Sequence, residues 1–381
     1  MPSFIINILL FILVIGILTF VHELGHFLAA KAVGAKVFEF ALGFGPKLIS
    51  KKIGETEYSI RLLPLGGYVK ILGDGDPGEE KIKKGDEKRD LSKKPKWQQI
   101  IVMVAGVTMN ILLGIIIFYI VLFSNDWELV LNNEFADFKP IGATVSRVRD
   151  GDVEYSELIE DGQAKKAGMP ESGILRSING KEIEYSDDVS KMLASKKNES
   201  IILNVCQEDV CTEYTVTTSE DGKIGVLLPA NFYMSLSYKD NKVFSGFAHV
   251  LNNFKLIFSK MRDMFSQARK TGDYSELSNS VSGPVGIYFV IDYFKKFGVV
   301  PFLGMIADLS MSLAIINILP IPALDGGRIF ILLIEWVVGK ELDEKVESLI
   351  INISFIFLII LILFIIIKDI VNIDVIKNIF N

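Results

Sequence analysis

Four long apolar runs organise this chain. Met1–Val21 carries no charged side chain, Ile100–Phe123 supplies 24 uncharged residues and Leu349–Ile367 supplies 19. At 1.5 Å of rise per residue, about 20 residues cross a hydrocarbon core of about 30 Å. Each run therefore predicts a transmembrane helix. Val299–Leu324 is also apolar but holds Asp308, Asn317, Pro301, Pro320 and Pro322. It predicts a span that breaks near Pro320. Irregular backbone at membrane depth is tolerated only inside protein or beside water, so this break already marks a candidate site. A secretory leader is the rival reading of the first run, but residues 1–10 lack the Lys or Arg of a basic leading region.

Between the second and third runs the pattern becomes that of a water-soluble domain over residues 140–230. Ala143–Val148 reads as a strand and Gly162–Met169 as a turn into a short helix. Gly173–Ile183 reads as a hairpin turning at Asn179-Gly180. Ser186–Ser195 places Val189, Met192 and Leu193 on one helical face. Ile201–Cys206 and Cys211–Val216 alternate as strands, and in that register the two cysteines face each other at bridging distance or remain two thiols. The order of elements, with Ala164-Lys-Lys-Ala-Gly-Met169 and Ile178-Asn-Gly180, resembles a PDZ domain, although Ser172-Gly173 replaces the usual Gly-Asp.

From Phe244 onward, Phe247, Leu251, Phe254, Phe258 and Met261 recur at helical spacing between basic residues. This fits either a helix on the membrane surface or an ordinary packed helix. His249 reads there as a half-buried helix histidine.

The expected fold is a mainly α-helical polytopic membrane protein with four transmembrane helices and one inserted α+β PDZ-like domain. The expected segments are span 1 over 1–30, a loop over 31–97 and span 2 over 98–124. The inserted domain over 140–230 and an amphipathic helix with linker over 244–298 follow. Span 3 with its following helix covers 299–338, and span 4 covers 347–368. Residues 47–96 carry 13 Lys or Arg, clustered in part at Lys81–Lys84, whereas the N-terminal flank carries none. Short-loop basic residues stay cytoplasmic, so this loop is expected inside and the 140–230 domain outside a cell (inner) membrane. Asp74–Lys96 mixes both signs and reads as a solvated linker.

Composition narrows the chemistry. A mean hydropathy of +0.38 with half the residues apolar excludes global disorder. A net charge of −6 argues against nucleic-acid binding. Two cysteines exclude a disulfide scaffold and a multi-cysteine zinc cluster. Of three histidines, two stand in Val21-His22-Glu23-Leu24-Gly25-His26. Four residues on a helix return to within about 40° of the same face, so His22 and His26 can grip one zinc ion while Glu23 takes a proton from water. Ionisable groups at the end of an apolar helix cost several kcal/mol unless paired or functional. A catalytic zinc keeps three protein ligands. Asp325, in Asn317-Ile-Leu-Pro-Ile-Pro-Ala-Leu-Asp325-Gly-Gly-Arg328, lies at the depth of His22 and is the candidate third ligand. The alternative is that it only caps the following helix. Asp308, near the other face, reads as a helix-pairing or interfacial residue.

These motifs, the four-span layout and the inserted domain together resemble the bacterial site-2-protease family of intramembrane zinc metalloproteases. The resemblance implies Zn2+ held by His22, His26 and Asp325, with Glu23 as the catalytic acid/base and Asn317 holding substrate. It implies transmembrane protein substrates such as anti-sigma factors or signal-peptide remnants, and membrane lipid as surroundings. It also implies that Glu57–Ile60 and Gly67–Ile71 form a membrane-dipping β-loop; an ordinary hairpin is the alternative. Asn110 in span 2 reads as a helix–helix hydrogen-bonding residue or a substrate contact. The inserted domain is expected to restrict access. Two other function classes compete: a non-catalytic PDZ adaptor, which needs no metal, and a metal transporter, which needs no role specific to Glu23.

Overall fold

A computed structural model describes residues 2–74, 85–131, 138–208 and 210–373. Lys81–Lys84, part of the basic cluster used to orient the chain, lie outside the described residues. The chain forms two compact units, Met1–Ser124 with Gly246–Asn381, and Asn125–Ser245.

The first unit opens with helix α1 (Pro2–Ala32), strands β1 (Val37–Ile53) and β2 (Thr56–Ile71), and helix α2 (Lys96–Ser124). The chain then forms the second unit: β3 (Glu128–Leu131), β4 (Thr144–Arg149), β5 (Glu154–Tyr155), β6 (Glu157–Leu158), α3 (Gln163–Lys166), β7 (Gly173–Ile178), β8 (Lys181–Glu182), α4 (Ser186–Leu193), β9 (Ser200–Gln207), β10 (Val210–Thr217), β11 (Val226–Leu227) and β12 (Phe232–Ser237). It returns through α5 (Ser245–Thr271), α6 (Ser275–Ser280), α7 (Pro284–Phe294), α8 (Val299–Ile318), α9 (Asp325–Val338) and α10 (Glu344–Val371). Among the described residues four helices are long and apolar enough to cross a membrane: Phe4–Ala32, Lys96–Ser124, Val299–Ile318 and Lys345–Val371. The third stops at Ile318, two residues before Pro320, whose ring cannot continue a helix.

Apolar helices in lipid gain little from burying apolar surface, so polar contacts and close packing hold them together. Asn7 on α1 donates to Asp292 on α7 at 2.6 Å. Ser310 on α8 donates to the Asn110 carbonyl of α2 at 2.9 Å. Asp308 accepts from Asn253 on α5 at 2.6 Å, which makes it a helix-pairing residue. Asp369 on α10, fully buried, accepts from the backbone of Gly283 and Gly286 and so satisfies the start of α7. His249 is buried rather than half-buried, with its ring edge-on to Phe118 of α2 at 4.5 Å.

Strands β1 and β2 form a folded-over ribbon. Residues 37–42 lie opposite 67–71, residues 39–42 also lie opposite 57–60, and 56–60 in turn lie opposite 49–53. The two short strands expected at Glu57–Ile60 and Gly67–Ile71 are thus parts of one strand, and both flank a third segment rather than each other. The base of the ribbon shares a core with α1 and α2, formed by Ala30, Val37, Phe40, Val69, Ile71, Val102 and Met103. Leu91, 2% exposed, belongs to the same core, so residues 85–96 are not a solvated linker. Two of their charges reach across the fold: Arg89 donates to Glu55 at 2.5 and 2.6 Å, and Lys36 pairs with Asp86. The Arg89 guanidinium, helped by Lys31, holds the Glu55 carboxyl down at about 2.

The second unit surrounds the core of Val153, Tyr155, Leu175, Leu203, Val205 and Val216. Its main sheet runs β10-β9-β7-β5, with β8 paired to β7. Asn179 and Gly180 both have positive φ at the β7–β8 turn, as a two-residue hairpin requires. The unit reaches past 140–230 because β12 pairs with both β3 and β4. Cys206 lies opposite Cys211 and the two are bonded. Replacing both by Ser is expected to cost about 2 kcal/mol, the loop-closure value for so short a ring. Amide exchange in β9 and β10 of the intact protein should then quicken about 30-fold. Unchanged exchange would show that the bridge carries no stability.

Candidate metal centre

α1 brings His22 and His26 to one face, one turn apart, and both are buried at 8% exposure. Asp325 opens α9 directly after the break in span 3. Its carboxylate turns to the imidazoles. Asp325 Oδ2 lies 3.1 Å from His22 Nε2 and 3.2 Å from His26 Nε2, and the two nitrogens are 3.2 Å apart. Among the described residues this is the group of three metal-ligating side chains that converge.

The shape of that group fits a metal. Three ligand atoms at 2.0–2.1 Å from a tetrahedral zinc stand about 3.3 Å from one another, close to the three observed edges. Oδ2 is buried and, despite its two near neighbours, has no hydrogen-bond partner among the described residues. Two imidazoles and a carboxylate also form a common donor set for a catalytic zinc.

Backbone packing creates this cluster. A Cβ on Gly25 of α1 would meet the Ala105 carbonyl oxygen at 2.3 Å, and one on Gly106 of α2 would meet His26 Nε2 at 2.3 Å. The two helices therefore touch backbone to backbone beside the two histidines. Gly326 and Gly327 do the same for α9, because a Cβ on either would strike the backbone of the 318–322 break at 2.1–2.2 Å. Arg328, one turn after Asp325, pairs with Asp74 at 2.7 Å just beyond β2, and Lys96 pairs with Glu335 at 2.9 Å. These ion pairs fasten α9 to the ribbon and to the start of α2.

The outer ring nitrogens are also occupied. His26 Nδ1 faces the Val102 carbonyl at 2.8 Å. His22 Nδ1 faces the Asn110 side chain at 3.2 Å. Asn110 is therefore more than the helix-pairing residue its sequence context indicates, and the only signal for it was a polar side chain within span 2. Glu23 is half-buried, and its Cγ lies against Gly67 of the ribbon, 3.3 Å from where a Cβ would be. The structure thus puts Glu23 between the histidine pair and the strand segment 67–71. Asn317 is half-buried in the last turn of α8 and is not part of the three-residue cluster.

Comparison with known proteins agrees with this geometry. A model described as peptidase family M50 matches residues 10–361. A Clostridium perfringens protein, provisionally named a zinc metalloprotease, is 33% identical over 94% of this chain and 97% of its own length. The regulator of sigma-W protease RasP of Bacillus subtilis is 28% identical over 96% of this chain and 99% of its own. The zinc metalloprotease RasP of Bacillus licheniformis is likewise 28% identical, over 96% and 98%.

Proposed function

The chain belongs to peptidase family M50, and from that premise we propose how its residues divide the work of an intramembrane zinc metalloprotease. His22 Nε2, His26 Nε2 and Asp325 Oδ2 hold the zinc ion. The observation that carries this is their convergence, from a membrane-length helix and a broken span, into a triangle with zinc-like edges. When bound, zinc supplies Lewis acidity that acidifies water and polarises a carbonyl. Glu23 takes the proton from the attacking water and returns it to the nitrogen of the leaving amine.

A substrate helix hides its peptide bonds in its own hydrogen bonds, so it must unwind and find new partners. Segment 67–71 of β2 is paired with 37–42 on one side and begins beside Glu23. It is the edge on which an extended substrate is laid as an added strand. Asn317 helps hold that strand. Exposed Phe44, Leu48, Ile49, Leu62 and Leu63 on the ribbon face lipid.

Two observations support sidedness. Basic residues concentrate after α1, which favours the cytoplasmic side for the metal-bearing end. The Cys206–Cys211 bridge favours an oxidising compartment for the second unit. That unit acts as an extracytoplasmic PDZ-like domain, a reading supported by its strand and helix order. The substrates are single-span membrane proteins, and the name of the B. subtilis relative favours one that controls a sigma factor.

The test is zinc content and cleavage of a transmembrane peptide by purified protein, wild type against Asp325→Ala. The variant is expected to lose zinc and fall below detectable cleavage. Retention of both would remove Asp325 from the centre.

A further inference from the structure

A neutral imidazole carries one proton and one lone pair. If Nε2 of a histidine holds a metal, its Nδ1 must be a donor and needs an acceptor. His26 has one in the backbone, the Val102 carbonyl at 2.8 Å. Opposite His22 Nδ1 stands a side chain instead, the Asn110 carboxamide at 3.2 Å. Asn110 is fully buried. Its Oδ1 has no hydrogen-bond partner among the described residues.

The backbone of Asn110 already serves helix pairing, because its carbonyl accepts from Ser310 of α8 at 2.9 Å. The side chain is left for the ring. An NH2 group cannot accept a proton, but a half-turn of the carboxamide exchanges its oxygen and nitrogen without changing its shape. Resting on the metal-centre reading above, we propose that Asn110 is the positioning residue of His22. Its Oδ1 accepts a hydrogen bond from Nδ1–H and fixes the tautomer whose Nε2 faces Asp325. The two imidazoles are then held alike, both from α2: His26 by the main chain, His22 by a side chain that substitution can remove. Partners of this kind set ring orientation and ligand basicity.

The experiment compares zinc affinity, by chelator competition, in full-length wild type, Asn110→Leu and Asn110→Asp. Leu keeps the branching and heavy-atom count and loses the acceptor, whereas Asp keeps an acceptor. Asn110→Leu is expected to bind zinc about 10–100-fold more weakly, with Asn110→Asp close to wild type. The second readout needs no variant. With cobalt(II) in place of zinc, wild-type protein should show two shifted, slowly exchanging imidazole N–H signals, one from each histidine. Asn110→Leu should lose one of them. Equal zinc affinity in wild type and Asn110→Leu would overturn the proposal, as would a single protected N–H signal in wild type. Failure of wild type itself to bind zinc would overturn the metal centre, and this inference with it.

Discussion

Glu23→Gln is expected to stop cleavage while zinc stays bound at the wild-type level. Glu23 follows His22 directly, so its side chain leaves α1 at a different angle from the two imidazoles and takes no part in the three-atom triangle. Its Cγ rests on the Gly67 side of the centre, the side from which an extended substrate would come. Gln has the same length and shape but cannot take up a proton from water. Only the transfer step should suffer, and positioned acid/base groups contribute about 10²–10⁴-fold. Metal content by mass spectrometry and turnover of a transmembrane peptide, measured on the same preparation, separate the two roles. Full turnover by the variant would show that the proton moves through another group. Zinc loss with the activity would show that Glu23 belongs to the ligand set.

The parts of this centre that were legible in the sequence are those that local rules determine. Apolar run length fixes the spans, and a four-residue spacing fixes the shared face of His22 and His26. Prolines at 320 and 322 followed by two glycines announce the break that carries Asp325. The cysteine register could be counted from strand alternation. The rest depends on contacts that no window of sequence contains. Strand β1 was not visible because Gly43, Gly45 and Pro46 interrupt its alternation, and because residues 39–42 are flanked on both sides. Leu91 and Asp90 looked like linker because their neighbours are charged. Their burial arises only once Arg89 and Asp86 find Glu55 and Lys36 across the fold. Asn110 reads as an ordinary polar residue in an apolar helix until Gly25 and Gly106 bring α1 and α2 close enough for it to reach His22.

That close approach yields the other large expected effect, in a residue with no chemistry of its own. Gly106→Ala should weaken zinc binding about 100-fold or more, and cleavage with it, without unfolding the protein. The added methyl would stand 2.3 Å from His26 Nε2, 2.7 Å from His22 Cε1 and 2.8 Å from His26 Cε1. Such distances require movement, and the neighbours have little room to yield. His26 is tied through Nδ1 to Val102 on the same helix as the methyl. The helices cannot separate cheaply, because Gly25 lies directly on the Ala105 carbonyl. The atom displaced is therefore Nε2, the one that faces Asp325. Losing an outer hydrogen-bond partner of a ligand already weakens metal binding about 10–100-fold, so displacement of the ligand atoms should cost about 100-fold or more. Helix propensity runs the other way, because Ala favours helix over Gly by about 1 kcal/mol. Circular dichroism should accordingly show full helicity. Gly16→Ala is the control on α1: nothing lies within 4 Å of its Cβ position, so zinc and turnover should match wild type. At Gly114 a Cβ would meet the Met311 sulfur at 2.7 Å, but a flexible thioether can move aside, so Gly114→Ala should fall between the two. Retained zinc and turnover in Gly106→Ala would mean that α1 and α2 can separate freely, and that backbone contact does not set the spacing of the ligands.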